Sequence, residues 1–430
     1  MKITIISNLY PPFGRGGAEY IASQLAVELI NQGHEVSVIT SAPWQALRSF
    51  KTDCRIEHKI AVYRFYPLNV YYYLNAARHG LGWRLVWHKI NLFNWLAAGQ
   101  VRRILAKVKP AAVISFNLMG LSFWLPRAIK SLSLKHLHTL HDVQLLHPSG
   151  LFYPPSSSQG GRRTGAAEMK YTIDGGMSPW KLQVEESYEN LIVKVYQFIT
   201  RWLFQPVNIV VAPSRWLMAE HISRGFFKNS EIKVIPNPVP PLAAPLSVFK
   251  PLGLVNLIYV GQIQEHKGIF WLVQTLKKSS RSDWSLRIVA VGALDNWARL
   301  VNLIGDDKRF ALNRTVTQAE IDNYIADSHL AIVPSLCLEN APTIITMAKV
   351  QGTPVLASQS GGIPELMEEG VNGWMFTPGS EAEFTQKLNR CLDNPSLLAA
   401  AASHTKQNSS ASNLADYARE LTSLLARLSS

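Results

Sequence analysis

Two doubly wound α/β domains in tandem are predicted from three observations. Short apolar runs of strand character alternate with helix-period segments along most of the chain. One proline- and alanine-rich stretch interrupts that alternation, and 430 residues exceed what a single core sustains. The opening is a βαβ unit. Ile3, Ile5 and Ile6 read as a buried strand, Ile21, Leu25 and Leu29 share one helix face, and Gly33 is placed to end that helix before a second strand over 36–40. Further strands are expected at 112–116, 136–140, 208–212 and 233–235. A helix over 97–108 puts Val101, Ile104, Leu105 and Val108 on one face and Arg102, Arg103 and Lys107 on another.

The stretch VPPLAAPLSVFKP at 239–251 reads as the inter-domain connection. A second series of strands follows at 256–260, 286–291, 330–333 and 354–357, and this alternation implies parallel sheets covered on both faces. The expected division is therefore 1–240, 241–400 and a tail over 401–430 whose last helix, 414–428, packs back on the first domain. Residues 151–180, rich in Pro, Ser and Gly with Arg162 and Arg163, are expected to form a mobile loop inside the first domain.

With 47% hydrophobic and 17% charged residues the chain is neither disordered nor a solvating acidic protein. A net charge of +13 favours an anionic partner, and its position narrows the choice. Residues 41–140 hold 15 Lys/Arg against 2 acids, a surplus equal to that of the whole chain. Cys54, Cys337 and Cys391 are few and scattered, with no metal-ligand spacing, which fits a reducing cytoplasm. The apolar run before Pro11 is short for a signal peptide, and no run reaches the ~18 residues of a membrane span. A soluble chain, or one resting peripherally on the inner membrane face, is expected.

Within the basic segment, Tyr63, Phe65, Tyr66, Tyr71, Tyr72, Tyr73, Trp83, Trp87, Phe93 and Trp95 interleave with Arg64, Arg78, Arg84 and Lys89. Stacking plus phosphate contacts would suit a nucleic-acid strand, but no nucleic-acid-binding motif accompanies them, so no nucleic acid is expected. Core aromatics beneath solvated charges is one remaining reading. The other is a surface for anionic lipid, through which 41–140 reaches a membrane-bound acceptor.

Ligands of parallel sheets collect at strand carboxyl ends, which directs attention to the turns there. After the first strand comes Gly14-Arg15-Gly16-Gly17-Ala18-Glu19, whose glycines let backbone N–H groups approach an anion at a helix start; a simple helix cap accounts for it equally. It has neither the GxGxxG spacing nor a Walker lysine. His141-Asp142 ends a strand, as a reactive group or a structural hydrogen-bonder. Lys267-Gly268 follows the first strand of the second series and suits a phosphate or mere exposure. Glu339, Asn340, Ala341, Pro342 and Thr343 put a carboxylate beside a helix start, where capping is the plain alternative. Gly361 and Gly362 form one more glycine turn.

Together and in this order these segments resemble family 4 glycosyltransferases of the GT-B fold. The matching residues are NLYPPFGRGGAEYIASQLAVELINQGHEVSVIT (8–40), TLHD (139–142), VAPSRW (211–216), IPNPV (235–239), YVGQIQEHKG (259–268), VPSLCLENAPT (333–343) and GTPVLASQSGGIPELMEEGVNGWMF (352–376). The resemblance implies two facing Rossmann-like domains with a cleft between them and a retaining transfer. A nucleotide-diphosphate sugar is then the donor substrate, a glycan or lipid-linked hydroxyl the acceptor, and neither a metal nor another cofactor is expected. It further implies that Gly16 and Gly17 approach the donor phosphates and that Lys267 and Gln262 serve the diphosphate. Glu339 contacts the sugar, His141 lies beside it as the second catalytic residue, and 340–343 offer amides.

Two positions depart from the family pattern. Met347 stands where a second glutamate usually holds the ribose hydroxyls, and Gln262 where an arginine often precedes the lysine. Losing a charged acceptor costs roughly 1.5–3 kcal/mol, a tenfold to hundredfold weakening. The expected function is sugar transfer in surface polysaccharide or glycolipid assembly. A non-catalytic subunit binding sugar nucleotide or glycan is the alternative that Met347 raises, and a GT-B-like epimerase finds no clear acid/base pair here.

Overall fold

The computed structural model describes all residues except 15, 153–185, 240–252, 315–316, 408–412 and 429–430. The expected connection at 239–251, most of the 151–180 loop and part of the polar tail therefore lie outside the described residues. The chain divides into two compact units, the first drawn from Met1–Gly150, Pro179–Pro238 and Ser412–Ser430, the second from Leu151–Ser178 and Val239–Ala411.

In the first unit the strands are β1 (Lys2–Ile6), β2 (Glu35–Ser41), β3 (Asp53–Glu57), β4 (Ile60–Phe65), β5 (Ala112–Ser115), β6 (Lys135–Thr139), β7 (Ile209–Ala212) and β8 (Glu231–Val234). They form one sheet in the order β3-β4-β2-β1-β5-β6-β7-β8, parallel except for the β3–β4 pair. Ile3, Ile5, Val36, Val38 and Ile114 share a core with Ile21, Leu25 and Leu29 of the helix Gly17–Asn31. Gly33 takes φ +80° just past that helix, the left-handed geometry that a helix end requires of a residue without Cβ. The helix Leu414–Arg427 adds Tyr417, Leu421, Leu424 and Leu425 to the same core. The rest of the expected tail is different: its first residues belong to another helix, Pro395–Gln407, whose Leu398 and Ala401 sit in the second unit's core.

The sequence reading misses the β3–β4 hairpin. His58 and Lys59, at φ 49° and 67°, make its turn, and neither is the Asn-Gly or Gly-Gly that normally marks such a turn. In the aromatic segment the structure shows two populations. Phe65, Tyr66, Tyr71, Tyr72 and Trp87 are buried, whereas Trp83, Phe93 and Trp95 are exposed.

The second unit contains β9 (Val255–Gln262), β10 (Trp284–Val291), β11 (Phe310–Asn313), β12 (Leu330–Val333), β13 (Val355–Ser358) and β14 (Gly373–Phe376). These form a parallel sheet in the order β11-β10-β9-β12-β13-β14. Strand order reverses between β9 and β12 here, and between β1 and β5 in the first sheet. At such reversals the loops diverge to opposite faces and leave a crevice at the carboxyl edge.

Candidate active site

In the second unit the loops after β9 and β12, the two strands flanking the reversal, meet side chain to side chain. Lys267 ends the short 3-10 turn Glu265–Lys267, and its Nζ donates to Glu339 Oε1 at 2.6 Å. Ser335 Oγ donates to the same oxygen at 2.7 Å, with Cys337 Sγ at 3.9 Å. Close backbone approach makes this possible. Gly268 has φ +72°, and a Cβ there would lie 1.8 Å from the Pro334 carbonyl oxygen; the His266 carbonyl accepts the Leu336 N–H at 2.8 Å.

From the β13 side Gly361, at φ +56°, approaches so closely that a Cβ would be 2.0 Å from the Glu339 carbonyl oxygen. That oxygen accepts the Gly362 N–H at 2.8 Å, while Ser360 Oγ accepts the Glu339 N–H at 3.3 Å and donates to the Cys337 carbonyl at 2.5 Å. Glu339 is thus fixed at its backbone and along its side chain.

Burial works against charge on both partners, and proximity overrides it. It pushes the Glu339 carboxyl up, but the Lys267 ammonium beside it and the Ser335 hydroxyl bring it below the usual carboxylate range. It pushes Lys267 down, and the Glu339 charge raises it above an ordinary lysine. Both groups are ionised at neutral pH. The thiol of Cys337 is held well above its ordinary value by burial and by Glu339, so it stays protonated.

Pro342 caps the helix Thr343–Gln351, with Asn340, Ala341, Pro342 and Thr343 half-exposed at its amino end. Such an end carries unpaired N–H groups and partial positive charge. Gln262 closes β9 and is half-buried, and its carbonyl accepts the Tyr259 hydroxyl at 2.7 Å. Met347 is only 9% exposed and packs in an apolar cluster with Val333, Ile344, Ile345, Ala348, Ile363 and Met367. The position is part of the core.

The first unit gathers a different set at its strand ends. Gly16 precedes the helix Gly17–Asn31, and the Glu19 carboxylate bends back onto the Gly16 and Glu19 amides. That is half of a capping box, so the capping alternative for the glycine turn is realised in this helix. Glu19 is 8% exposed and burial raises its pKa.

His141 follows β6 with its ring stacked on Phe116, centroids 5.3 Å apart, and burial lowers it to about 4, leaving the imidazole neutral. Asp142 accepts the Gln144 N–H at 2.8 Å and Asn117 Nδ2 at 3.3 Å. Burial first, and then the Glu19 charge, raise Asp142 to about 7 against the opposing Gln144 bond. Asn117, His141 and Asp142 help line a cavity of about 20 Å³, room for one water.

Sequence reasoning assigns no role to Ser335, Ser360 or Asn117, because serines and asparagines beside strand ends are common. Nor does it anticipate that Glu19 and Asp142 act on each other, since 123 positions separate them.

The family described as Glycosyltransferase Family 4 matches residues 15–241, and the one described as Glycosyl transferases group 1 matches 255–394. The chain belongs to glycosyltransferase family 4. Among relatives of this transferase, a Klebsiella pneumoniae "42.6 kDa protein in cps region" is 24% identical, over 85% of this chain and 87% of that one. A Salmonella typhimurium lipopolysaccharide 1,2-N-acetylglucosaminetransferase is 27% identical over 43% of this chain and 52% of its own. Its fold is that of sucrose-phosphate synthase from Thermosynechococcus elongatus (TM-score 0.70, 16% identity, 99% and 98% of the chains). Anabaena HepE in complex with UDP-glucose has the same fold (TM-score 0.66, 16% identity, 99% and 100%). The two units are therefore the two Rossmann-like halves of the GT-B architecture.

Proposed function

We propose that this transferase moves a sugar from a nucleotide-diphosphate sugar to a hydroxyl of a surface polysaccharide or lipid-linked glycan, with retention at the anomeric carbon. The observation that carries it is the Lys267–Glu339 pair at the strand reversal of the second unit. Lys267 neutralises the diphosphate there, and the N–H groups of Asn340, Ala341 and Thr343 add partial positive charge where the leaving group develops its own. Glu339, already fixed by Ser335 and Ser360, holds the sugar hydroxyls. Gln262 bonds the phosphates in place of an arginine.

In the transfer, the acceptor oxygen bonds to the anomeric carbon as the carbon–oxygen bond to the diphosphate breaks. The bond pair leaves with the phosphate, and the phosphate oxygen takes the hydroxyl proton. His141, neutral and stacked, hydrogen-bonds beside the sugar in either direction as an uncharged ring. The charge work falls to lysine and backbone, so chelation of divalent metal should leave turnover unchanged.

Support for the donor class comes from HepE, solved with UDP and with UDP-glucose. Support for the pathway comes from the Salmonella lipopolysaccharide transferase and from the Erwinia amylovora amylovoran biosynthesis glycosyltransferase AmsK, 26% identical over 29% of this chain and 33% of its own. The acceptor falls to the first unit. We place the protein in the cytoplasm, peripheral on the inner membrane face, because the basic segment 41–140 suits an anionic lipid surface. The buried Met347 favours a second reading, a partner subunit that binds sugar nucleotide or glycan without turnover. The two separate in one assay. Nucleoside diphosphate release from a panel of nucleotide sugars, with acceptor glycans, is expected for wild type and lost in Glu339→Ala; equal rates for both would remove the transferase reading from this site.

A further inference from the structure

The helix Glu186–Phe204 turns one face inward and leaves another that no described residue covers. Tyr196, Thr200, Leu203 and Phe204 are buried, with the Tyr196 hydroxyl on the Gln144 carbonyl at 2.6 Å and Thr200 Oγ1 on that of Leu145 at 2.8 Å. Leu191, Val195, Phe198 and Trp202 recur at i, i+4, i+7 and i+11 and are 58%, 50%, 65% and 42% exposed. Water faces four large apolar side chains in one stripe.

The stripe continues onto neighbouring elements. Trp202 meets Trp124 edge-on with centroids 5.5 Å apart, and Trp124 meets Phe93 at 6.2 Å. Phe93 is exposed, as are Trp95 and Leu96 just after it. Arg127 lies 3.5 Å over the Trp202 ring and donates to its carbonyl at 2.7 Å. An exposed apolar patch that runs across several elements marks a binding surface.

Charge decides among the possible occupants. From residue 58 to residue 141 there are 12 Lys/Arg and no acid, and the helix itself carries Glu186 and Glu189 at its start and Lys194 and Arg201 along the stretch that holds the stripe. Lys89, Lys130 and Lys194 are exposed. A protein partner would have to be anionic and apolar at once over this whole area. A bilayer rich in acidic lipid has that combination everywhere: headgroup charge for the cations, an interfacial layer for Trp, and acyl chains for Leu, Val and Phe.

We propose that the Leu191–Trp202 stripe, continued by Trp124 and Phe93, is the face by which the first unit docks on an anionic bilayer. This deepens the peripheral-membrane reading above: it adds the helix Glu186–Phe204 to the apolar contact made by Phe93 and Trp124 and leaves the cations of 41–140 as its electrostatic complement. No described helix is long and apolar enough to cross a membrane, so the contact is interfacial.

The test uses full-length protein and sedimentation with vesicles of phosphatidylcholine alone or with 30% phosphatidylglycerol. Val195→Ser/Phe198→Ser removes apolar groups from the face. Val291→Ser/Leu294→Ser removes equally exposed groups from the second unit. Wild type should partition at least tenfold better into anionic vesicles. The face variant should lose most of that partition, the control variant should keep it, and all three should be monomeric by light scattering. Equal partition of wild type into both vesicle types, or a face variant that binds as wild type does, overturns the proposal. A wild-type dimer dissolved by the face variant also overturns it and assigns the face to a second copy. Binding is read without donor, so failure of the transferase reading leaves this test standing, and the reverse.

Discussion

At the strand reversal of the second unit a lysine and a glutamate keep each other charged. At the strand ends of the first unit, burial drives two carboxyl groups and an imidazole toward neutrality. Sheet design alone does not set this difference, since both sheets are parallel and both reverse their strand order. The loops set it. In the second unit, glycines at 268 and 361 let three loops approach until opposite charges touch, whereas in the first Asp142 accepts from neutral amides and feels the charge of another acid. A charged pair suits a diphosphate that carries its own charge, and a neutral, hydrogen-bonding set suits a hydroxyl.

The contrast can be broken most severely at Glu339. Glu339→Gln keeps the shape and removes the charge opposite Lys267, and turnover should fall by about 10²–10³, the loss typical for one fixed electrostatic group. A rate within threefold of wild type would show that the pair is merely structural. Gly361→Ala acts on the same site through the backbone. Its Cβ collides with the Glu339 carbonyl in a region of φ that alanine resists, so thermal unfolding should register a loss of about 3 kcal/mol or more. Gly305, at φ +61° and ψ −138° but with nothing near a Cβ, isolates the backbone cost alone; Gly305→Ala should cost about 1–3 kcal/mol.

Met347→Glu sharpens the comparison in two directions at once. A carboxylate there should tighten nucleotide binding tenfold to hundredfold if the ribose lacks a charged acceptor. The apolar cluster around residue 347 should meanwhile lose about 3–5 kcal/mol of stability to the unpaired charge. Unchanged affinity in isothermal titration would show that other groups already hold the ribose.

In the first unit the expected signal is a pH dependence. Asp142 is raised from 3.8 to about 7, so its contribution to stability is complete below pH 3.8 and is lost as pH rises through about 7. Asp142→Asn removes that loss. The stability difference between variant and wild type should grow in the variant's favour from pH 4 to pH 8, by roughly 4 kcal/mol at most. Parallel melting curves across that range would show that Asp142 ionises freely.

Most of the fold is legible in the sequence because buried parallel strands are continuous apolar runs and the helices between them keep a 3.6-residue period, as Ile21, Leu25 and Leu29 do. The exceptions have local causes. β3 and β4 hide behind an unmarked turn at His58 and Lys59, β11 is a short, largely uncovered edge, and β14 is a four-residue strand that opens on a glycine. For the site, residue types and order pointed to Lys267 and Glu339, and contact distances added Ser335 and Ser360. The Glu19–Asp142 coupling and the exposed stripe of Leu191, Val195, Phe198 and Trp202 depend on tertiary placement. A helix whose apolar residues exceed what its core face needs looks simply buried when read as sequence.

The most direct test of the second unit's role is titration of wild type and Lys267→Ala with uridine, guanosine and adenosine diphosphates. The account predicts that wild type binds at least one of them and that Lys267→Ala weakens that binding by tenfold or more while the protein stays folded. Equal affinity in the two proteins, or no binding to any of the three, would contradict it.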